Sequence, residues 1–176
     1  QIDPVKLPML ASHVVDGAVT FPGAGYAEMA LAAARSYFGT VTCAVENLEI
    51  RTPVVFQPQQ GRLFRFTLDP RTAGFVIETR PRVSDDPWTI NVAGRLLIGG
   101  PSQTAPAIEP QSMAALEEQA PIAGSTLYQA ALAIGLEFGE AFRWVQTVRI
   151  DGDVALAELA APASQQAHLD RYTMHP

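Results

Sequence analysis

His13, Gly17 and Pro22 fall within the run H-V-V-D-G-A-V-T-F-P, directly ahead of an alanine-rich stretch. An imidazole, with an ordinary pKa of about 6.5, is a base matched to neutral pH. A glycine four residues on has no side chain to obstruct its backbone N–H, which could donate to a developing oxyanion. Pro22 presets the backbone where the chain enters a helix, and the positive end of that helix adds to a field that favours an anion. Together these groups suit the removal of a weakly acidic C–H proton next to a carbonyl. Asp16, between His13 and Gly17, reads as a turn residue rather than an acid.

Other chemistries find less support. Gly23-Ala24-Gly25 opens a helix as a dinucleotide loop does, but Glu28 stands where the third glycine would be and no βαβ pattern follows. Neither a G-x-x-x-x-G-K-[ST] run nor a G-x-S-x-G elbow is present. His13, His168 and His175 lack metal-ligand spacing, and the single cysteine cannot complete a zinc set, so no metal is expected.

The elements that must position these residues follow from pattern. Tyr26 to Phe38 reads as a helix, with five alanines favouring it and only Glu28, Arg35 and Ser36 polar, so most of its circumference should be buried. Gly39 is its stop. The period then turns strand-like at Val41–Phe56, Arg62–Leu68, Gly74–Thr79 and Trp88–Ile98. One buried helix followed by four strands predicts an antiparallel sheet wrapped around that helix, an α+β layer spanning residues 1–100. Residues 101–123, rich in proline and glycine with a short helical patch at Met113–Gln119, read as a linker. Residues 124–176 start the same order again: a helix from Ser125 to about Leu136, then strands Trp144–Ile150 and Val154–Leu159 about an Asp151-Gly152 turn. Too few strands follow to close a second sheet.

Composition bounds the class. Of 176 residues, 48% are hydrophobic and 17% charged, as in a globular chain with a real core. A net charge of −6 argues against nucleic acid as partner. One cysteine, Cys43, excludes an intrachain disulfide and, in an apolar strand, reads as a buried structural thiol. No signal-peptide pattern or bilayer-length apolar run is visible, which predicts a soluble cytoplasmic protein without membrane contact.

The run from His13 to Pro22, followed by G-A-G-Y-A-E-M-A, resembles the dehydratase domain of type I polyketide synthases and multimodular fatty-acid synthases. The family pattern is a His, three residues, a Gly, four residues and a Pro, which His13, Gly17 and Pro22 match. The similarity extends through N-L-E-I-R-T-P-V-V-F at 47–56, G-L-E-F-G-E-A-F at 135–142 and Y-T-M-H-P at 172–176. It implies a double hot-dog fold: two units, each a curved antiparallel sheet around a long helix, the second incomplete in this chain. It also implies loss of water from a 3-hydroxyacyl thioester carried on the phosphopantetheine of acyl carrier protein, giving the trans-2-enoyl thioester, with no cofactor of its own. His13 would be the base, and Gly17 and Pro22 would serve oxyanion and substrate binding. Phe138, Phe142 and Trp144 are candidates for an acyl tunnel, although aromatics at such spacing are more often core. The family's acid is an Asp shortly after a His-Pro pair, a position that falls beyond His175-Pro176; Asp170 precedes that pair. Phe138 and Glu140 replace the family's usual Tyr and Pro. Expected partners are acyl carrier protein, neighbouring synthase domains and a second copy in a homodimer. The alternatives are a catalytically incomplete, structural double hot dog, and a hot-dog thioesterase or product-template-like domain.

Overall fold

The computed structural model describes residues 1–39, 42–58, 60–99 and 110–175. After a 3-10 turn at Pro8–Ser12 come β1 (His13–Val15), β2 (Ala18–Val19) and α1 (Gly23–Phe38). Four strands follow: β3 (Cys43–Ile50), β4 (Arg62–Leu68), β5 (Gly74–Pro81) and β6 (Thr89–Ile98). The remainder is α2 (Pro110–Glu118), β7 (Ile122–Ala123), α3 (Gly124–Ala133), β8 (Leu136–Phe138), β9 (Val145–Asp151), β10 (Val154–Leu159) and the single-turn α4 (Ala163–Gln166).

Helix α1 is the spine of the first unit. Phe21, just ahead of the helix, packs edge-on against Tyr26 with ring centres 4.8 Å apart, a hydrophobic staple that sets the angle at which the chain enters. Tyr26, Ala27, Ala30, Leu31 and Ala34 recur at helical spacing and are buried. The small alanines let the helix lie close on β3 and β6. Gly39 ends it at φ +80°, its N–H donating to the Arg35 carbonyl at 3.0 Å. Beneath it lies the antiparallel sheet β3-β6-β5-β4, whose Phe75, Ile77, Val92 and Leu96 form the core with Tyr26, Ala30 and Ala34. Full burial of a side chain such as Ile77 contributes about 1.5–3 kcal/mol.

The long strand expected over Val41–Phe56 is cut short. Val41 lies outside the described residues, and β3 ends at Ile50 after a bulge between Glu46 and Glu49, with Asn47 at φ +52°. Both Arg51 and Thr52 then donate to the single carbonyl of Asn91, and the chain leaves the sheet so that Val55 can bridge to Thr20. Cys43, expected to be buried, is half-buried because it starts an outer strand; what burial it has pushes its thiol pKa up.

The second unit is the three-stranded sheet β10-β9-β7 beside α3. The expected linker over 101–123 needs revision: residues 101–109 lie outside the described residues, but 110–123 are structured. Helix α2 packs on β9 and buries Leu116 fully, and β7 pairs with β9 through Ile122–Val148 and Ala123–Thr147. The strands β9 and β10 turn through Gly152 and Asp153, since Asp151 is still paired with Val154. A third sheet, β2-β1-β8, ties the units together, because β1 and β2 come from the first half and β8 from the second.

Candidate active site

The hairpin β1–β2 presents His13. Asp16 and Gly17 form its two-residue turn at φ +48° and +76°, the mirror-image turn that suits strand twist, and Asp16 is therefore a turn residue as expected. The hairpin returns the chain so that Thr20 N–H donates to the His13 carbonyl at 3.0 Å, and the Thr20 carbonyl oxygen lies 2.9 Å from His13 Nδ1. A carbonyl only accepts, so Nδ1 carries the proton that is donated. The neutral ring thus keeps its lone pair at Nε2. Thr20 is itself fixed, its hydroxyl donating to the Ala18 carbonyl at 3.0 Å and its backbone bridging to Val55.

On its other edge β1 pairs with β8, which sets His13 directly opposite Phe138. The imidazole packs edge-on to Phe138 at 5.7 Å and tilted to Phe142 at 5.3 Å. These rings belong to a cavity of about 520 Å³ that holds His13 and is mostly apolar. From the first half it takes His13, Pro22, Gly23 and Ala24; from the second it takes Leu127, Tyr128, Phe138, Phe142, Trp144, Val145, Leu159 and His175. Pro22 is buried in its wall immediately before α1, and Gly23 and Ala24 are the first residues of that helix, whose N–H groups have no intrahelical acceptor.

The structure therefore brings together His13, Pro22, Phe138 and Phe142. Gly17 is not part of that wall; it occupies the tip of the hairpin, where an added Cβ would meet nothing within 4 Å. Asp170 sits exposed in the 3-10 turn Leu169–Arg171, also outside the cavity lining. Two residues escaped sequence reasoning: Tyr128 in the wall and Arg143 outside the cavity lining. Tyr128 packs its ring against Phe138 at 6.0 Å and its hydroxyl accepts from Val145 N–H at 2.9 Å, so it couples α3 to β9. Arg143 Nε donates to the Phe138 carbonyl at 2.7 Å and holds the end of β8. His175 packs on Trp144 at 4.7 Å and on Tyr172 at 5.4 Å, with its Nε2 3.3 Å from Gln165 Oε1. The Y-T-M-H-P run had marked His175 as half of a His-Pro pair, and the structure adds that it lines the cavity.

Among the described residues no group of three or more His, Cys, Asp or Glu side chains is placed to hold a metal ion, and no helix is long and apolar enough to cross a membrane. The cavity offers an imidazole whose Nδ1 hydrogen bond fixes the tautomer of its neutral form, apolar walls and a helix N-terminus.

A family model for the polyketide synthase dehydratase domain matches residues 1–80, and one described as the polyketide synthase dehydratase N-terminal domain matches 106–176. The polyketide synthase GfsE of Streptomyces halstedii is 31% identical over 185 residues, taking in 100% of this chain and 5% of that protein. A mycocerosic acid synthase-like polyketide synthase of Mycobacterium tuberculosis is 30% identical over 182 residues, 100% of this chain and 8% of that protein. The chain thus spans only a small part of these relatives. Among solved structures, the dehydratase domain from the CurF module of curacin polyketide synthase superimposes with a TM-score of 0.83 at 22% identity, over 99% of this chain and 63% of that one. The dehydratase domain of a mycocerosic acid synthase-like synthase gives 0.80 at 23% identity, over 99% and 60%. The shared fold is the double hot dog, with the four-stranded sheet on α1 as first unit and β7, β9 and β10 beside α3 in the second. With two models of one family matching residues 1–80 and 106–176, this chain belongs to the dehydratase domains of polyketide synthases.

Proposed function

We propose that the His13 cavity removes water from a 3-hydroxyacyl thioester to give the trans-2-enoyl thioester. The observation that carries this reading is the base itself: an imidazole whose Nδ1–H is committed to the Thr20 carbonyl, set in an apolar cavity built by both hot dogs. Nε2 takes the proton from the carbon next to the thioester carbonyl. The electrons of that C–H bond form the new double bond as the C–O bond to the hydroxyl breaks, and the hydroxyl leaves as water once it gains a proton. The resemblance assigns that proton to an Asp after a His-Pro pair; His175, the first member of such a pair, already lines the cavity.

The developing oxyanion on the thioester needs donors, and the geometry favours the N–H groups of Gly23 and Ala24 at the start of α1 over that of Gly17 at the hairpin tip. Pro22 shapes the same corner. Phe138 and Phe142 form the wall against which the acyl chain lies, a reading supported by their packing on the His13 ring. In this reading the substrate arrives on the phosphopantetheine arm of an acyl carrier protein. The domain then works in the cytoplasm beside neighbouring synthase domains, paired with a second copy of itself. It needs no cofactor for an elimination of this kind.

The test is conversion of a 3-hydroxyacyl carrier-protein substrate by the full-length protein, followed as loss of water by intact-mass spectrometry. His13→Ala should lower the rate by about 10²–10⁴-fold, the usual contribution of a general base. Undiminished turnover would remove His13 from the mechanism. A wild type that forms no enoyl thioester would favour the structural alternative.

A further inference from the structure

Glu28 is the acidic side chain that the helix would be expected to turn outward, yet it is only 9% exposed. It stands four residues after Ala24 and so on the same face of α1, one turn further from the cavity corner that Ala24 helps to form. Its Oε2 accepts two backbone N–H groups, from Thr173 at 2.9 Å and Met174 at 2.7 Å, both from the far end of the sequence. None of the ion pairs among the described residues involves it. A buried carboxylate is tolerated only where its charge is met, and here two main-chain donors meet it. Because the donors are main-chain groups, what Glu28 recognises is the path of the segment rather than its side chains.

That path leads directly to the cavity. The next residue, His175, lines it, resting on Trp144 and reaching Gln165. We infer that Glu28 is a positioning residue: its carboxylate ties Thr173 and Met174 to α1 and so holds the His175 wall of the cavity in register with the helix that carries Gly23 and Ala24. Both hot dogs contribute to the cavity through the β1–β8 pairing on one side, and this tether is a second clamp between them, made by one side chain. The inference rests on the reading of the His13 cavity as the reaction site.

Two measurements on the full-length protein test it. Hydrogen exchange in the peptide containing Thr173 and Met174 should be at least about tenfold faster in Glu28→Ala than in wild type, with β5 and β6 unchanged as the control for intact folding. Glu28→Gln keeps an acceptor oxygen and should restore much of that protection. In the dehydration assay Glu28→Ala should lower kcat by about tenfold or more while KM changes little, because misplacing a wall by a fraction of an ångström acts on the reacting geometry. Glu28→Gln should recover most of the rate. Equal exchange in wild type and Glu28→Ala would overturn the tether, as would a Gln variant as impaired as Ala. Faster exchange with unchanged kcat would overturn the positioning role. If His13→Ala also left turnover intact, the fault would lie in the reading of the site, while the exchange data would still decide the tether.

Discussion

A histidine acts as a base only through a nitrogen that is free of a proton, and at His13 one hydrogen bond decides which nitrogen that is. The Thr20 carbonyl, 2.9 Å from Nδ1, can accept but not donate, so the neutral ring must be the Nδ1–H tautomer. Nitrogen-15 NMR of the neutral imidazole should show a protonated Nδ1 and a pyridine-like Nε2. Thr20→Ala should leave that pattern in place, because the partner is the backbone oxygen and not the hydroxyl. A protonated Nε2 in either protein would contradict the arrangement. The flanking rings of Phe138 and Phe142 restrict the imidazole from the second hot dog, which no feature of the H-V-V-D-G run itself could supply.

At the level of elements, two glycines show how differently a missing side chain can matter. Gly124 begins α3 immediately after β7, and a Cβ there would lie 2.0 Å from the Val145 carbonyl oxygen, a main-chain atom at the start of β9. Gly17 has open space around it, and only its φ of +76° resists a side chain. Denaturant unfolding should therefore show a loss of about 3 kcal/mol for Gly124→Ala, from overpacking, and of about 1 kcal/mol for Gly17→Ala, from left-handed strain. Equal losses would mean that α3 and β9 are not packed this closely. Gly124→Ala should also slow dehydration, since Val145 is part of the cavity wall. Gly17→Ala keeps its N–H and should leave the rate unaltered if the oxyanion donors belong to α1.

Across the whole molecule the two hot dogs are joined where β1 pairs with β8, with further bonds from Asp16 N–H to the Gly135 carbonyl and from Gly139 N–H to the Ser12 carbonyl, each 2.8 Å. The cavity exists only in that joined form. Stability of the first unit also carries a pH signature. Burial of Tyr26 in the core pushes its phenol from the ordinary 10.0 up to about 12. The folded state then holds a proton that the unfolded chain gives up, so this contribution is whole below pH 10 and is lost as pH rises towards 12. Wild type should lose stability over that window relative to Tyr26→Phe, measured by denaturant midpoints at each pH. A constant difference between the two would show that Tyr26 is not held in the core.

Much of this was legible in the chain because it is local. Alanine content and helical spacing mark α1, alternation and β-branching mark β4, β5 and β6, and Asp16 ahead of Gly17 marks a turn. The H-V-V-D-G-A-V-T-F-P motif marked His13 and the residue at the helix entrance for the same reason: hairpin and helix start lie within ten residues. What depends on contacts between distant segments was not legible. The sequence could not say that β3 stops at Ile50 because Asn91 captures the next two amides, or that Ile122 and Ala123 join β9. It could not show that the polar residue of a buried helix turns inward to hold amides 145 and 146 positions away. Local pattern sets which conformation each segment prefers. Only the folded chain decides which hydrogen-bonding groups meet, because a buried donor or acceptor takes the partner that packing brings to it.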